Sequence, residues 1–129
     1  MANTITKTTL NDGERNLTVH VTIEGEGAGS DEASTVLIDS STFSGAPTNL
    51  KVMKVEANLI GFSATLEWDG ATNADIVYIN DGVRFSEDYR QFGGLKNNAT
   101  TPTGDINITT TGLTVAADLG HMTLYMRKS

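Results

Sequence analysis

The chain contains no cysteine. Disulfides, thiolate metal sites and thiol nucleophiles are thereby excluded. It has two prolines and two histidines, too few for a proline-rich segment or a multi-histidine metal motif. Basic residues are scarce, 9 against 16 acidic ones, and the formal net charge is −7. A chain of that sign repels phosphate backbones, so nucleic acid is not expected as a partner. No apolar run approaches the roughly 20 residues that cross a bilayer as a helix, and no membrane partner is expected. The opening MANTITKTTL lacks the charged and then apolar order of a signal peptide. The expectation is a protein made in the cytoplasm and soluble there.

What is present is a β pattern. The 129 residues fit one domain, long enough to bury a core without staples. About one residue in seven is threonine, a β-branched type that suits a half-solvated pleated surface. The apolar period is two nearly everywhere. Leu17, Val19, Val21 and Ile23 alternate with Thr18, His20, Thr22 and Glu24, as in a strand with one face buried. Phe62, Ala64, Leu66 and Trp68 alternate with Ser63, Thr65 and Glu67; Ile106 and Ile108 alternate with Asn107 and Thr109; Met122, Leu124 and Met126 alternate with Thr123, Tyr125 and Arg127. Between Leu50 and Leu59 the phase slips once, which predicts a β-bulge near Met53. Ile76 to Ile79 is apolar on both faces, as expected of a central strand.

The turn chemistry agrees. Asn11-Asp12-Gly13 and Asn80-Asp81-Gly82 are hairpin signals, because glycine accepts positive φ after aspartate. Asn58 to Gly61 is read as a third hairpin, and Ser86 to Phe92 as one helical turn at most. These signals predict an all-β, single-domain antiparallel β-sandwich or small barrel, jelly-roll-like or Ig-like, with little or no helix. Residues 1–10 are expected as an N-terminal arm that pairs with a neighbour, and residues 11–129 as the domain.

Few residues carry chemistry. His20 and His121 each fall on the polar face of a strand, and no nucleophile elbow, HExxH or paired-histidine spacing accompanies them. No catalytic residue, cofactor or metal ligand is therefore assigned, and the expectation is a non-enzyme. The loop from Glu24 to Glu32 holds four carboxylates, but its spacing is not that of an EF-hand, and a solvated loop is expected. Trp68-Asp69 and Tyr78 suit a sugar-stacking platform by residue type, yet Trp68 shares its phase with the core. The richest segment is Val83 to Gly94. It gathers Arg84, Phe85, Tyr89, Arg90 and Phe92, types enriched at protein interfaces. The same phenylalanines could equally cap the core while the arginines are solvated. With Thr4, Ile5 and Thr6 of the arm, which could add a strand to a neighbour's sheet, these residues form the candidate contact set.

The phrases TITKTTLNDGERNLTVHVTIEGEG, EASTVLIDSSTF, GFSATLEWDGAT and FGGLKNNATTPTGDINITTTG, with a strand reaching the end of the chain, resemble small virion structural proteins of tailed bacteriophages, of the podovirus and marine-phage type. The resemblance spans essentially the whole length and rests on pattern rather than on a catalytic motif. It implies a β-sandwich or small barrel present in the particle, and foremost a capsid decoration (cement) protein. Such a protein sits on the capsid exterior as a trimer or dimer and binds the major capsid protein and copies of itself. A neck or tail component and a carbohydrate-binding adhesion module are the other readings carried forward.

Overall fold

The computed structural model describes residues 4–25, 31, 34–43, 50–82, 84–100, 103–113 and 118–128, without the side chains of Ser41 and Phe92. Strands β1 (Thr4–Asp12), β2 (Asn16–Glu24), β3 (Thr35–Ile38), β4 (Leu50–Ile60), β5 (Ser63–Trp68), β6 (Ala74–Ile79), β7 (Arg84–Asp88), β8 (Ile106–Thr111) and β9 (Leu119–Lys128) form two sheets. Among the described residues two short 3-10 turns, Ser40–Thr42 and Arg90–Phe92, interrupt them. One sheet runs β1-β2-β9-β4-β7 and the other β3-β8-β5-β6, and every pairing is antiparallel.

The pairings nest. β2 pairs with β9, β3 with β8, β4 with β7 and β5 with β6. A long hairpin folded over on itself has this pattern, and the wrapped product is the eight-stranded jelly roll. β1 adds a ninth strand beside β2. The chain is thus an all-β sandwich of two open sheets rather than a closed barrel.

The period-two residues meet between the sheets. From the larger sheet come Leu17, Val19, Val21 and Ile23 of β2, Val55, Ala57 and Leu59 of β4, and Met122, Leu124 and Met126 of β9. From the smaller come Leu37 and Ile38, Ala64, Leu66 and Trp68, Ile79, and Ile106 and Ile108. The register shift between Val52 and Lys54 leaves Met53 as the extra residue, so Leu50 and Val52 stay buried with Val55 despite the change of parity. A shift between Val36 and Ile38 likewise lets the consecutive Leu37 and Ile38 both face inward.

Three expectations are corrected. β6 is an edge strand, not a central one: its pairing with β5 shifts between Leu66 and Glu67, and Tyr78 is 54% exposed. The apolar run of β6 is partly covered because Ile76 and Val77 pack against the rim of the core. The turns at Asn58–Gly61 and Asn80–Gly82 do not close hairpins, because they carry the chain from one sheet to the other. There Asp81 Oδ1 accepts a 2.7 Å hydrogen bond from the Gly61 amide, and Gly82 N donates to Leu59 O, so the two crossings are tied together. Finally, residues 4–10, expected as a free arm, belong to β1 and pair with β2 in their own chain, with a bulge between Thr9 and Asn11. Ile5 packs on the core and Lys7 Nζ donates to Val36 O, so burial and a hydrogen bond hold the segment in place. The β1–β2 hairpin is the one that formed as read; Lys128 secures it through an ion pair to Asp12 and a 2.6 Å hydrogen bond to Gly13 O.

Candidate functional site

Alternation puts a second set of side chains on the outer face of the five-stranded sheet. Register defines its rows. Thr6, Thr22, His121, Asn58 and Arg84 run across all five strands, and Thr8, His20, Thr123, Glu56 and Ser86 form the next row. Strand pairing therefore brings His20 and His121, 101 residues apart in the chain, to diagonal positions on β2 and β9. Their ring centroids are 5.8 Å apart with planes tilted by 34°. His20 Nδ1 and Thr123 Oγ1 are 3.0 Å apart.

The two imidazoles open onto a groove of about 380 Å³. β4 lines it with Glu56, Ala57 and Asn58, β7 with Arg84 and Phe85, and β9 adds Thr123. Beyond Glu56 the face is polar and charged. The Tyr125 hydroxyl hydrogen-bonds Glu56, and chiefly that bond, with burial and the Glu56 charge, raises the Tyr125 pKa. Lys54 Nζ lies 3.6 Å from Glu56 Oε1 and 5.7 Å from the centre of the Tyr125 ring. Among the described residues, no group of three or more histidine, aspartate or glutamate side chains is placed to surround a metal ion. No described helix is long and apolar enough to cross a membrane.

The structure sorts the candidate contact residues. Thr4 and Thr6 lie on the outer face at the β1 edge, whereas Ile5 points into the sandwich. At the opposite edge Arg84 is exposed and faces the groove, while Phe85 turns inward against the core. Tyr89 also packs partly on the core, and burial followed by the Glu87 charge raises its pKa. Arg90 is exposed and grips Asp88 through Nε and Nη2 contacts of 2.6–3.1 Å. That hydrogen bonding lowers the Asp88 pKa to about 2. The Phe92 side chain lies outside the described residues.

Both segments proposed from sequence are thus the two edges of one sheet, separated by four strand spacings, or about 19 Å. The groove between them was missed. Its only sequence signal was that His20 and His121 both stand at outward positions of their strands, since nothing in the sequence pairs β2 with β9.

Other candidates fare differently. Trp68 is 1% exposed and part of the core, so it offers no face to a sugar, while Tyr78 remains exposed on β6. Of the acidic loop, Glu26 and Glu32 lie outside the described residues, and Asp31 is hydrogen-bonded to Thr110 of β8 and to Leu113 just beyond it. Its Oδ1 accepts from Leu113 N at 2.7 Å and from Thr110 Oγ1 at 3.2 Å.

Fold and surface together define an antiparallel jelly-roll sandwich in which, among the described residues, β1 and β7 form the edges of one sheet and β3 and β6 those of the other, with a polar groove on one outer face. No family model, curated protein or solved structure matches the chain.

Proposed function

We propose that the chain is a non-enzymatic virion structural protein of a tailed bacteriophage, foremost a decoration protein that binds the outer surface of the head and stabilises contacts between major capsid protein subunits. The observation that carries this reading is the placement of β1 and β7 at opposite edges of one sheet. Each edge offers backbone groups to a partner strand, so one molecule can join two neighbours. Jelly rolls serve viral shells as well as lectins, and the resemblance of the sequence to phage virion proteins favours the first. The bulge at the end of β1 and the inward Lys7 are devices that restrain open-ended pairing between identical edges. A partner of a different shape is the better fit for that edge.

Cement activity needs only binding energy. Contacts made in the assembled shell and absent from free subunits stabilise assembly by linkage, and many symmetric copies multiply a modest single affinity.

The direct measurement is the copy number in purified virions relative to the major capsid protein. A simple ratio, on the order of hundreds of copies, supports decoration. About six or twelve copies would move the protein to a neck or tail ring, and absence from the particle would remove the virion reading. Edge pairing is tested separately by single prolines at Thr6 and Lys7. Neighbouring amides on an edge strand point alternately towards β2 and away. One of the two variants should therefore keep its melting temperature, and that folded variant should lose shell occupancy. Full occupancy by it would exclude β1 as the docking strand.

A further inference from the structure

The geometry points to a metal-binding site on the outer face of the five-stranded sheet, in which His20 and His121 chelate one late first-row divalent cation, Cu²⁺, Ni²⁺ or Zn²⁺. The inference stands apart from the virion reading.

The first support is distance. A transition-metal ion about 2.1 Å from an imidazole nitrogen lies roughly 3.2 Å from that ring's centre. Two rings sharing an ion therefore have centres roughly 4.5–5.5 Å apart for angles of about 90–120° at the metal. The centroids of His20 and His121 are 5.8 Å apart. That is slightly wider than this range, a gap that rotation of either side chain closes without any movement of β2 against β9.

The second support is orientation. His20 Nδ1 is 3.0 Å from Thr123 Oγ1. When that nitrogen donates its proton to the hydroxyl, Nε2 keeps its lone pair, which is the arrangement found around metal-ligating histidines. Thr123 is a positioning residue here and touches no metal itself.

The third is access and charge. The rings open into a groove of about 380 Å³ with room for water on the ion's remaining positions. Glu56 lines the same groove and partly offsets Arg84. Both histidines of a 129-residue chain meet at this one place. With two protein nitrogens the site is open and borderline-soft. It should favour Cu²⁺ over Ni²⁺ and Zn²⁺ and ignore Ca²⁺ and Mg²⁺.

The test is titration of the full chain with CuCl2, NiCl2, ZnCl2 and CaCl2, read by calorimetry and by the imidazole NMR signals. One equivalent of Cu²⁺ should bind, broadening both histidines together, and the same ion should raise the melting temperature because only the folded state brings β2 and β9 together. His20→Ala and His121→Ala, both at outward positions, should each weaken binding at least tenfold. Thr123→Val should weaken it several-fold while leaving the melting temperature without metal little changed. No binding, binding that survives either histidine substitution, or broadening of one imidazole alone overturns the proposal.

Discussion

At the scale of single residues, packing on the inner face and hydrogen bonding on the outer face set different tolerances. Gly120 occupies an inward position of β9, beside Leu59 and the ring of Phe62. An added Cβ would stand 2.5 Å from Leu59 Cδ2 and 2.9 Å from Phe62 Cζ. Gly120→Ala should therefore overpack the core and cost about 1–3 kcal/mol in chemical denaturation. Gly61, with φ at +89° and the Asp118 carboxylate against it, makes the sheet crossing after β4 possible for the same steric reason. Asp88 is the opposite case, exposed and held by Arg90. Its folded pKa, about 2, lies below the ordinary value. The pair's contribution is therefore complete above the ordinary carboxylate range and is lost as the pH falls towards 2. Solvent screening keeps that contribution small. The Asp88 carboxyl signal should titrate near pH 2 in NMR; a midpoint at the ordinary value of about 3.9 would show that the pair does not persist in solution.

Elements differ in what they hold. β9 has neighbours on both sides, pairing with β2 and β4 along nearly its whole length, and contributes Met122, Leu124 and Met126 to the core. β1 has one neighbour, and its side chains are exposed except for a partly buried Ile5. Removal of residues 1–11 should leave a folded, less stable domain. Removal of residues 119–129 should abolish cooperative folding, since it splits the five-stranded sheet down its middle. Near-UV circular dichroism and thermal melts distinguish the two. A truncation at β1 that unfolds the protein would mean that Ile5 and Lys7 matter more than their partial burial indicates. Shell binding by the β1 deletion is a poor test of docking for the same reason, and the proline variants serve better.

For the whole molecule, the nested pairing has a kinetic consequence. β2 and β9 meet across almost the entire chain, Asn16 facing Arg127, and most contacts in the sandwich are non-local. Loop closure must be completed before those contacts form, so folding should take milliseconds to seconds or longer. Trp68, the chain's one tryptophan and 1% exposed, reports core formation by stopped-flow fluorescence. Refolding complete within tens of microseconds, the regime of local-contact proteins, would contradict this topology. The same wrapping gives the molecule two distinct outer faces and separates the β1 and β7 edges by the width of a sheet.

For β2, β4, β5, β8 and β9 the strand, its inward face and the bulge at Met53 were legible in the amino-acid order, because a period of two assigns each side chain to a face without reference to any partner, whereas β1, β3 and β7 carry too little alternation to be read as strands. Trp68 was assigned to the core on that ground alone, and the segment from Arg84 to Phe92 stood out by residue type. The edge position of Ile76–Ile79 is not legible in this way, since apolar residues at a sheet rim have the same pattern as those of a central strand. The glycine turns at Asn58–Gly61 and Asn80–Gly82 have hairpin sequences yet cross between sheets, because a turn sequence favours a reversal of direction but does not say whether the chain returns to the same sheet. Which strands become neighbours depends on how both sheets bury their apolar faces at once. Only the tertiary structure therefore made β1 and β7 the opposite edges of one sheet and brought His20 beside His121.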